Sequence, residues 1–332
     1  MDKSFPTSSM VRHATALWCE SPGRYALQPA PLPPLEAGEV RVAATHSAVS
    51  RGTERLVLEG RVPESEAERM RCPNQEGAFP FPVKYGYALV GEIVDGPAER
   101  LGERVFVLHP HQTHLTVPQA SAIPLPLAVP PRRATLGANM ETALNVVWDS
   151  GAAPGDQILV IGAGVVGLLV ARLLARIPAT TVTVIDRDVA KRPFAEAMGA
   201  AFAETASGEV DVAINASGSG AALAAAIDAV GLEGRIVEAS WVGEGTTAIP
   251  LGGAFHSRRL SLVSSQVGKV PANRAARWSN ARRLDTALGL LDDPALDVLL
   301  THRIAFADAP DRLPGLLQDD GPLAITLDYA PE

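Results

Sequence analysis

The sequence predicts an α/β protein in two parts: a β-rich domain, then a doubly wound parallel sheet. Three observations predict this. Residues 11 to about 125 carry short β-branched runs separated by Pro and Gly. Residues 134 to about 264 alternate apolar runs with Ala-rich helical stretches. The length, 332 residues, exceeds what one hydrophobic core usually supports. The expected divisions are 1–130, 131–265 and 266–332.

In the first part, 39–44, 88–94 and 104–108 read as strands, and 63–82 reads as a long surface loop with an apolar tip at 78–82. In the second part, a helix over 138–150 leads through Gly151 and Pro154 into the apolar run 157–161. A Gly-rich turn, a helix over 165–176 and a second apolar run at 181–185 follow. Further strands are expected at 210–215, 234–239 and 260–264, so strand and helix alternate as in βαβ units with a parallel sheet. Beyond 279, amphipathic stretches at 281–291 and 310–317 flank a further strand, and a strand at 324–327 closes the chain.

Composition narrows the function classes. Hydrophobic residues make up 47% and charged residues 20%, an ordinary globular balance. No apolar run is long enough to span a bilayer, and residues 1–11 lack a charged-then-apolar signal pattern. Cys19 and Cys72 are too few for a disulfide framework, which suits a reducing cytoplasm. A net charge of -8 without basic clusters argues against nucleic acid or an anionic membrane as partner. A small-molecule substrate is the expectation that remains.

The chemistry-bearing motif is Gly162-Ala163-Gly164-Val165-Val166-Gly167, placed directly after an apolar strand and opening a helix. Gly162 permits the tight turn, Gly164 lets backbone approach a pyrophosphate, and Gly167 lets helix and strand pack closely. The helix N-terminus offers free N–H groups and a positive dipole end to phosphates. Asp186 stands about 20 residues beyond the glycines, where a carboxylate accepts hydrogen bonds from the adenosine ribose and repels a 2′-phosphate. This is a Rossmann-type dinucleotide site that favours NAD, with NADP kept open by Arg187 beside the ribose.

On these residues the chain resembles the medium-chain dehydrogenase/reductase superfamily, the alcohol dehydrogenases and quinone reductases. Gly102-Glu103-Arg104-Val105 is similar to its "GDRV" strand. Gly155-Asp156-Gln157-Ile158-Leu159-Val160 is similar to the "G-D-x-V-L-V" segment that begins its nucleotide domain, and 210–218 to its "D-x-V-x-x-x-x-G" strand. The resemblance implies a GroES-like catalytic domain before the Rossmann domain, and a return of the chain to the catalytic domain over 266–332. It also exposes departures. Ser50 stands where zinc-dependent members carry a ligand Cys, and Tyr87 stands in place of the ligand His. Only Glu141 matches a third ligand, and no Cys lies between Leu108 and Val129, where the structural zinc lobe would be. Serine hydroxyl and phenol are poor zinc donors, so the resemblance points to a zinc-free member. Ser50, Gly52, Thr53, Glu54 and Gly60 resemble the branch named for hydroxyethyl-bacteriochlorophyllide dehydrogenase.

The resemblance also implies roles. Tyr87, Thr53, Ser50 and Glu141 are the catalytic candidates: a phenol and hydroxyl relay to move a proton, and an acid either paired with Glu54 or held by an arginine. Arg51 matches a residue that reaches the cofactor pyrophosphate. Thr142 would face the nicotinamide, Ala216 and Ser217 close the strand near the nicotinamide ribose, and Gln266 lies where the chain passes the carboxamide. The strand after Phe255-His256-Ser257-Arg258-Arg259 commonly pairs across a homodimer. The run His109-Pro110-His111-Gln112-Thr113-His114 reads as a polar strand end and loop, not a metal site. The expected activity is zinc-independent, NAD(P)(H)-dependent hydride transfer on a small carbonyl, alcohol, enone or quinone. A zinc enzyme with unusual ligands and a non-catalytic NAD(H) sensor or scaffold remain as alternatives.

Overall fold

The computed structural model describes residues 13–330, so the expectation about residues 1–11 lies outside the described chain. The longest strand, Glu39–Val49, organises the first part. It is the third strand of a seven-stranded sheet whose order is His302–Ala305, Ile325–Asp328, Glu39–Val49, Leu89–Asp95, Arg104–Val107 and Ile123–Pro124, with His114–Pro118 paired to it off this path. It runs five residues beyond the expected 39–44. Thr45, His46 and Ser47 disguise the continuation as loop, but each finds a partner: Thr45 Oγ1 donates to Val90 O at 3.2 Å, and the buried Ser47 hydroxyl meets His111 and Tyr329. Register shifts between Arg41 and Val42 and between Ala44 and His46 also break the period-2 pattern that marks a strand in sequence.

A second, four-stranded sheet contains the hairpin His13–Ser21 and Arg24–Pro31, closed at Gly23 with φ 74°. Its mixed polar sequence concealed it from periodicity. The 63–82 segment packs back here, with Phe79 5.6 Å from Tyr85 between ring centroids and both Phe79 and Phe81 against the apolar core of the first part.

The six strands of the second part are all parallel, in the order Ala201–Ala203, Thr181–Ile185, Gln157–Ile161, Val210–Asn215, Val230–Glu238 and Ser261–Ser264. Numbered along the chain this is 3-2-1-4-5-6, the doubly wound dinucleotide-binding order. The order reverses beside Gln157–Ile161, and a crevice opens there at the carboxyl ends of the strands. The strand Val230–Glu238 begins earlier than expected, straight out of helix Gly220–Ala229.

Helix Gly137–Ser150 joins the two parts. It packs against Val165–Leu174 of the nucleotide-binding part and against Asn280–Gly289, which follows it. One apolar core crosses the junction, combining Ala48, Val90 and Phe106 with Met140, Leu168 and Leu288. A Cβ on Gly137 would meet Leu288 at 2.8 Å and Phe106 at 3.0 Å, so glycine is what lets the helix come this close. Phe106→Ala should therefore cost about 3–5 kcal/mol by cavity formation at a fully buried site. Urea unfolding followed by fluorescence measures it; a loss below about 1 kcal/mol would mean that the two parts do not share this core.

Candidate active site

Strand Glu39–Val49 ends at the crevice and delivers Ser50 and Arg51 to it, while Gln157–Ile161 delivers the glycine turn from the opposite side. A cavity of about 590 Å³ lies between them. Its lining includes Ser50, Arg51, Gly162, Gly164, Val165, Val166, Asp186, Arg187, Ala216 and Ser217. The three glycines have separate physical duties. Gly162 adopts φ 105°, and a Cβ there would sit 2.9 Å from Ala216 and Ser217 backbone. A Cβ on Gly167 would overlap the Gly162 carbonyl. On Gly164 it would meet nothing within 4 Å, because this position faces the open cavity. Gly164 also caps helix Val165–Leu174 without a side chain, leaving its first N–H groups toward the cavity.

Asp186 ends the second parallel strand. Its Oδ2 accepts from Ala163 N at 2.7 Å and its Oδ1 from Asp188 N at 2.9 Å, which fixes the carboxylate beside the glycine turn. Arg187 points outward and pairs with Asp320 at 2.5 Å. Arg51 donates to Asp319 O at 2.5 Å and to Pro322 O, and its buried Nε has no hydrogen-bond partner among the described residues.

Toward the interior, Ser50, Thr53 and Tyr87 come together. Burial pushes the Tyr87 phenol up to about 12, against the pull of the Ser50 and Thr53 hydroxyls that face it, while Glu54 pushes it further up. Tyr87 is thus a protonated phenol at neutral pH. The Ser50 side chain does not cap helix Arg51–Leu58; Glu54 Oε1 instead accepts from Ser50 N at 2.8 Å. The other Glu54 oxygen, Oε2, meets His111 Nε2 at 3.1 Å, and His111 Nδ1 meets Ser47 Oγ at 2.7 Å. The chain of contacts ends at Tyr329, whose hydroxyl is 2.9 Å from Ser47. Sequence reasoning left His111 in a loop and did not single out Ser47 or Tyr329. The histidine run was the available signal for His111. Nothing local marks the other two, which are 282 residues apart.

Of the two outcomes expected for Glu141, the arginine one holds: it is buried against Arg283, whose Nε donates to Glu141 Oε1 at 3.0 Å, whereas Glu54 is held by Ser50 N and His111. Arg283 also donates to Asn145 Oδ1 at 2.5 Å and to Val267 O. Thr142 turns its hydroxyl back to Ala138 O at 3.0 Å, as helical threonines do. Gln266 is exposed, with its Oε1 accepting from Gly268 N at 2.7 Å, and neither it nor Thr142 lines the cavity. Ala216 and Ser217 do line it, with Ser217 Oγ donating to Asn215 Oδ1 at 2.6 Å.

No protein-family model matches the chain. Solved structures do share its architecture over almost its whole length. An alcohol dehydrogenase from Escherichia coli CFT073, in complex with NADH, is 19% identical and superposes with a TM-score of 0.77 over 96% of this chain and 100% of that one. L-idonate 5-dehydrogenase from Escherichia coli K-12 is 14% identical, with a TM-score of 0.78 over 96% and 98%. 2R,3R-butanediol dehydrogenase from Bacillus subtilis is 18% identical, with a TM-score of 0.75 over 96% and 100%. The chain has the fold of the medium-chain dehydrogenase/reductase superfamily, a GroES-like β-rich part and a Rossmann part.

The side chains at the positions where the sequence resemblance would put zinc ligands do not suit that ion. Ser50 offers a hydroxyl, Tyr87 a phenol far from ionisation, and Glu141 a carboxylate already committed to Arg283. Among the described residues no three His, Cys, Asp or Glu side chains are grouped to hold a metal. Burial raises the Glu141 pKa and Arg283 opposes the rise. Arg283→Met should leave the carboxylate buried and unpaired, costing about 3–5 kcal/mol. Because the folded-state pKa then rises further above the unfolded value, the variant's stability should fall as pH increases through that pKa. Chemical denaturation at about pH 5 and pH 8 tests this, and a pH-independent loss would refute the pairing.

Proposed function

We propose that the chain is a zinc-independent, NAD(H)-dependent oxidoreductase that interconverts a small carbonyl or conjugated compound and its reduced form. The observation that carries the reading is the glycine turn with Gly164 facing open space at a free helix N-terminus. Asp186 held beside it adds a ribose acceptor, and the Arg51 guanidinium in the cavity wall adds positive charge on the phosphate side. Gly162, Gly164, Gly167 and the N–H groups of Val165 and Val166 would hold a pyrophosphate, and Asp186 the adenosine ribose. The likeness to an NADH-bound alcohol dehydrogenase supports the same cofactor class.

When bound, the dinucleotide supplies or accepts a hydride. The chain's part is to bind substrate and manage the proton. Tyr87, kept protonated by burial, donates its hydroxyl proton to the oxygen of a carbonyl undergoing reduction. The Ser50 and Thr53 hydroxyls face the phenolate so formed and return a proton to it. In the reverse direction Tyr87 passes its own proton out to the Ser50 and Thr53 hydroxyls as it takes the proton of the alcohol. Glu141 acts as a positioning residue through Arg283 and the 267–269 backbone.

We also propose a homodimer formed through Ser261–Ser264, which lies at the sheet edge with one side paired and the other open. Cytoplasmic location fits the two buried free thiols, Cys19 and Cys72. No helix among the described residues is long and apolar enough to cross a membrane.

Two substitutions separate binding from chemistry. Gly164→Ala adds a methyl group that touches no protein atom, so the thermal midpoint should stay within about 2 °C while NADH affinity drops at least about tenfold. Unchanged affinity in a fluorescence titration would remove the dinucleotide from this turn. Tyr87→Phe should lower kcat by about 10²–10⁴ on a carbonyl, enone or quinone substrate with the NADH Kd preserved. Turnover equal to that of the parent would transfer the proton step to another group. A chain that binds NADH and turns over none of these substrates would instead be a sensor.

A further inference from the structure

Residues 319–322, just before the last strand, are held by cations from both sides of the cofactor cleft. Arg51, from the catalytic part, takes the Asp319 and Pro322 carbonyls. Lys191, from the nucleotide-binding part, donates to the carbonyls of Asp320 and Gly321 at 3.1 and 2.7 Å. Backbone oxygens thus accept the hydrogen bonds of Lys191, with the Asp188, Asp186 and Asp320 carboxylates attracting it from farther off, and they provide the close contacts of Arg51. The Asp320 carboxylate has a different employment. Its Oδ2 lies 2.5 Å from Arg187, and its Oδ1 is a more distant 3.6 Å from Arg51.

Arg187 directly follows the ribose-binding Asp186 and lines the same cavity. An arginine at this place is the group that accommodates a 2′-phosphate, through its planar fork of donors. Asp186 alone does not settle the selectivity. Its two oxygens already accept from Ala163 and Asp188 backbone, and a full positive charge stands one residue away. The Asp320 carboxylate occupies that guanidinium and adds a negative charge where a 2′-phosphate would arrive.

We propose that Asp320, reaching across from the C-terminal return, is a cofactor-specificity residue: by engaging Arg187 it makes the ribose subsite select NAD(H) against NADP(H). The proposal rests on the dinucleotide reading of the cleft. Asp320→Asn keeps the loop's shape and the carbonyls that hold Arg51 and Lys191, and removes only the charge. Direct fluorescence titration of the full chain with NADH and with NADPH supplies the readout, independent of any substrate.

The parent should bind NADH more tightly than NADPH. Asp320→Asn should tighten NADPH by at least about tenfold and change NADH by less than about threefold, and adding Arg187→Ala should erase the NADPH gain. An unchanged NADPH-to-NADH ratio in Asp320→Asn, a gain that survives loss of Arg187, or a parent that prefers NADPH would each overturn the role of Asp320. Those results leave dinucleotide binding itself standing. If the parent binds neither nucleotide, the reading of the cleft fails and the proposal falls with it.

Discussion

Four backbone pairs, Ile325 with Val49 through Asp328 with His46, hold the end of the chain against the end of its longest strand. This antiparallel pairing decides where the cleft is. It sets the last strand beside the point at which Glu39–Val49 stops and Ser50 begins, so residues 319–323 must pass the mouth of the cavity. It also lets Tyr329 reach Ser47, with Phe306 stacked behind at 4.5 Å, and so closes the buried network that runs through His111 to Glu54. A one-residue slip would turn every one of these side chains to the opposite face of the sheet.

Electrostatics divide the site into two regions with different physics. At the cavity, charge is solvated: Arg187 and Asp320 are largely exposed, and their attraction matters through what it permits to bind more than through stability. In the interior, charge is buried and must be matched. Glu54 meets this demand with a backbone N–H and an imidazole, Glu141 with a guanidinium. Tyr87 meets it by remaining neutral. The group facing the hydroxyls of Ser50 and Thr53 is thus a phenol that keeps its proton at neutral pH.

Much of the fold was legible because it obeys local rules. The run Gln157–Ile161, the glycine turn and the helix after it combine a buried strand, a φ only glycine accepts readily and a free helix N-terminus, each of which leaves a mark in consecutive residues. The extension of Glu39–Val49 and the N-terminal hairpin were illegible for the opposite reason. Their polar groups are satisfied by partners distant in sequence: the Thr45 hydroxyl donates to Val90 O, and the Thr15 backbone N–H donates to the Thr113 hydroxyl. Family likeness, in turn, located Thr142 and Gln266 by alignment, but the side-chain directions answer to local bonds within the helix and the 266–268 turn.

By itself, then, the sequence determined the parallel sheet, the place of the glycine turn within it, the acid at Asp186 and the lack of sulfur and imidazole ligands at Ser50 and Tyr87. These are properties of residue type and short spacing, and they survive without knowledge of neighbours. Tertiary structure alone decided which polar side chains meet. Glu141 pairs with Arg283 across 142 positions, Glu54 with His111 across 57, and Arg187 with Asp320 across 133. A charged side chain takes whatever partner folding brings within a few ångströms, and distance along the chain carries no information about that.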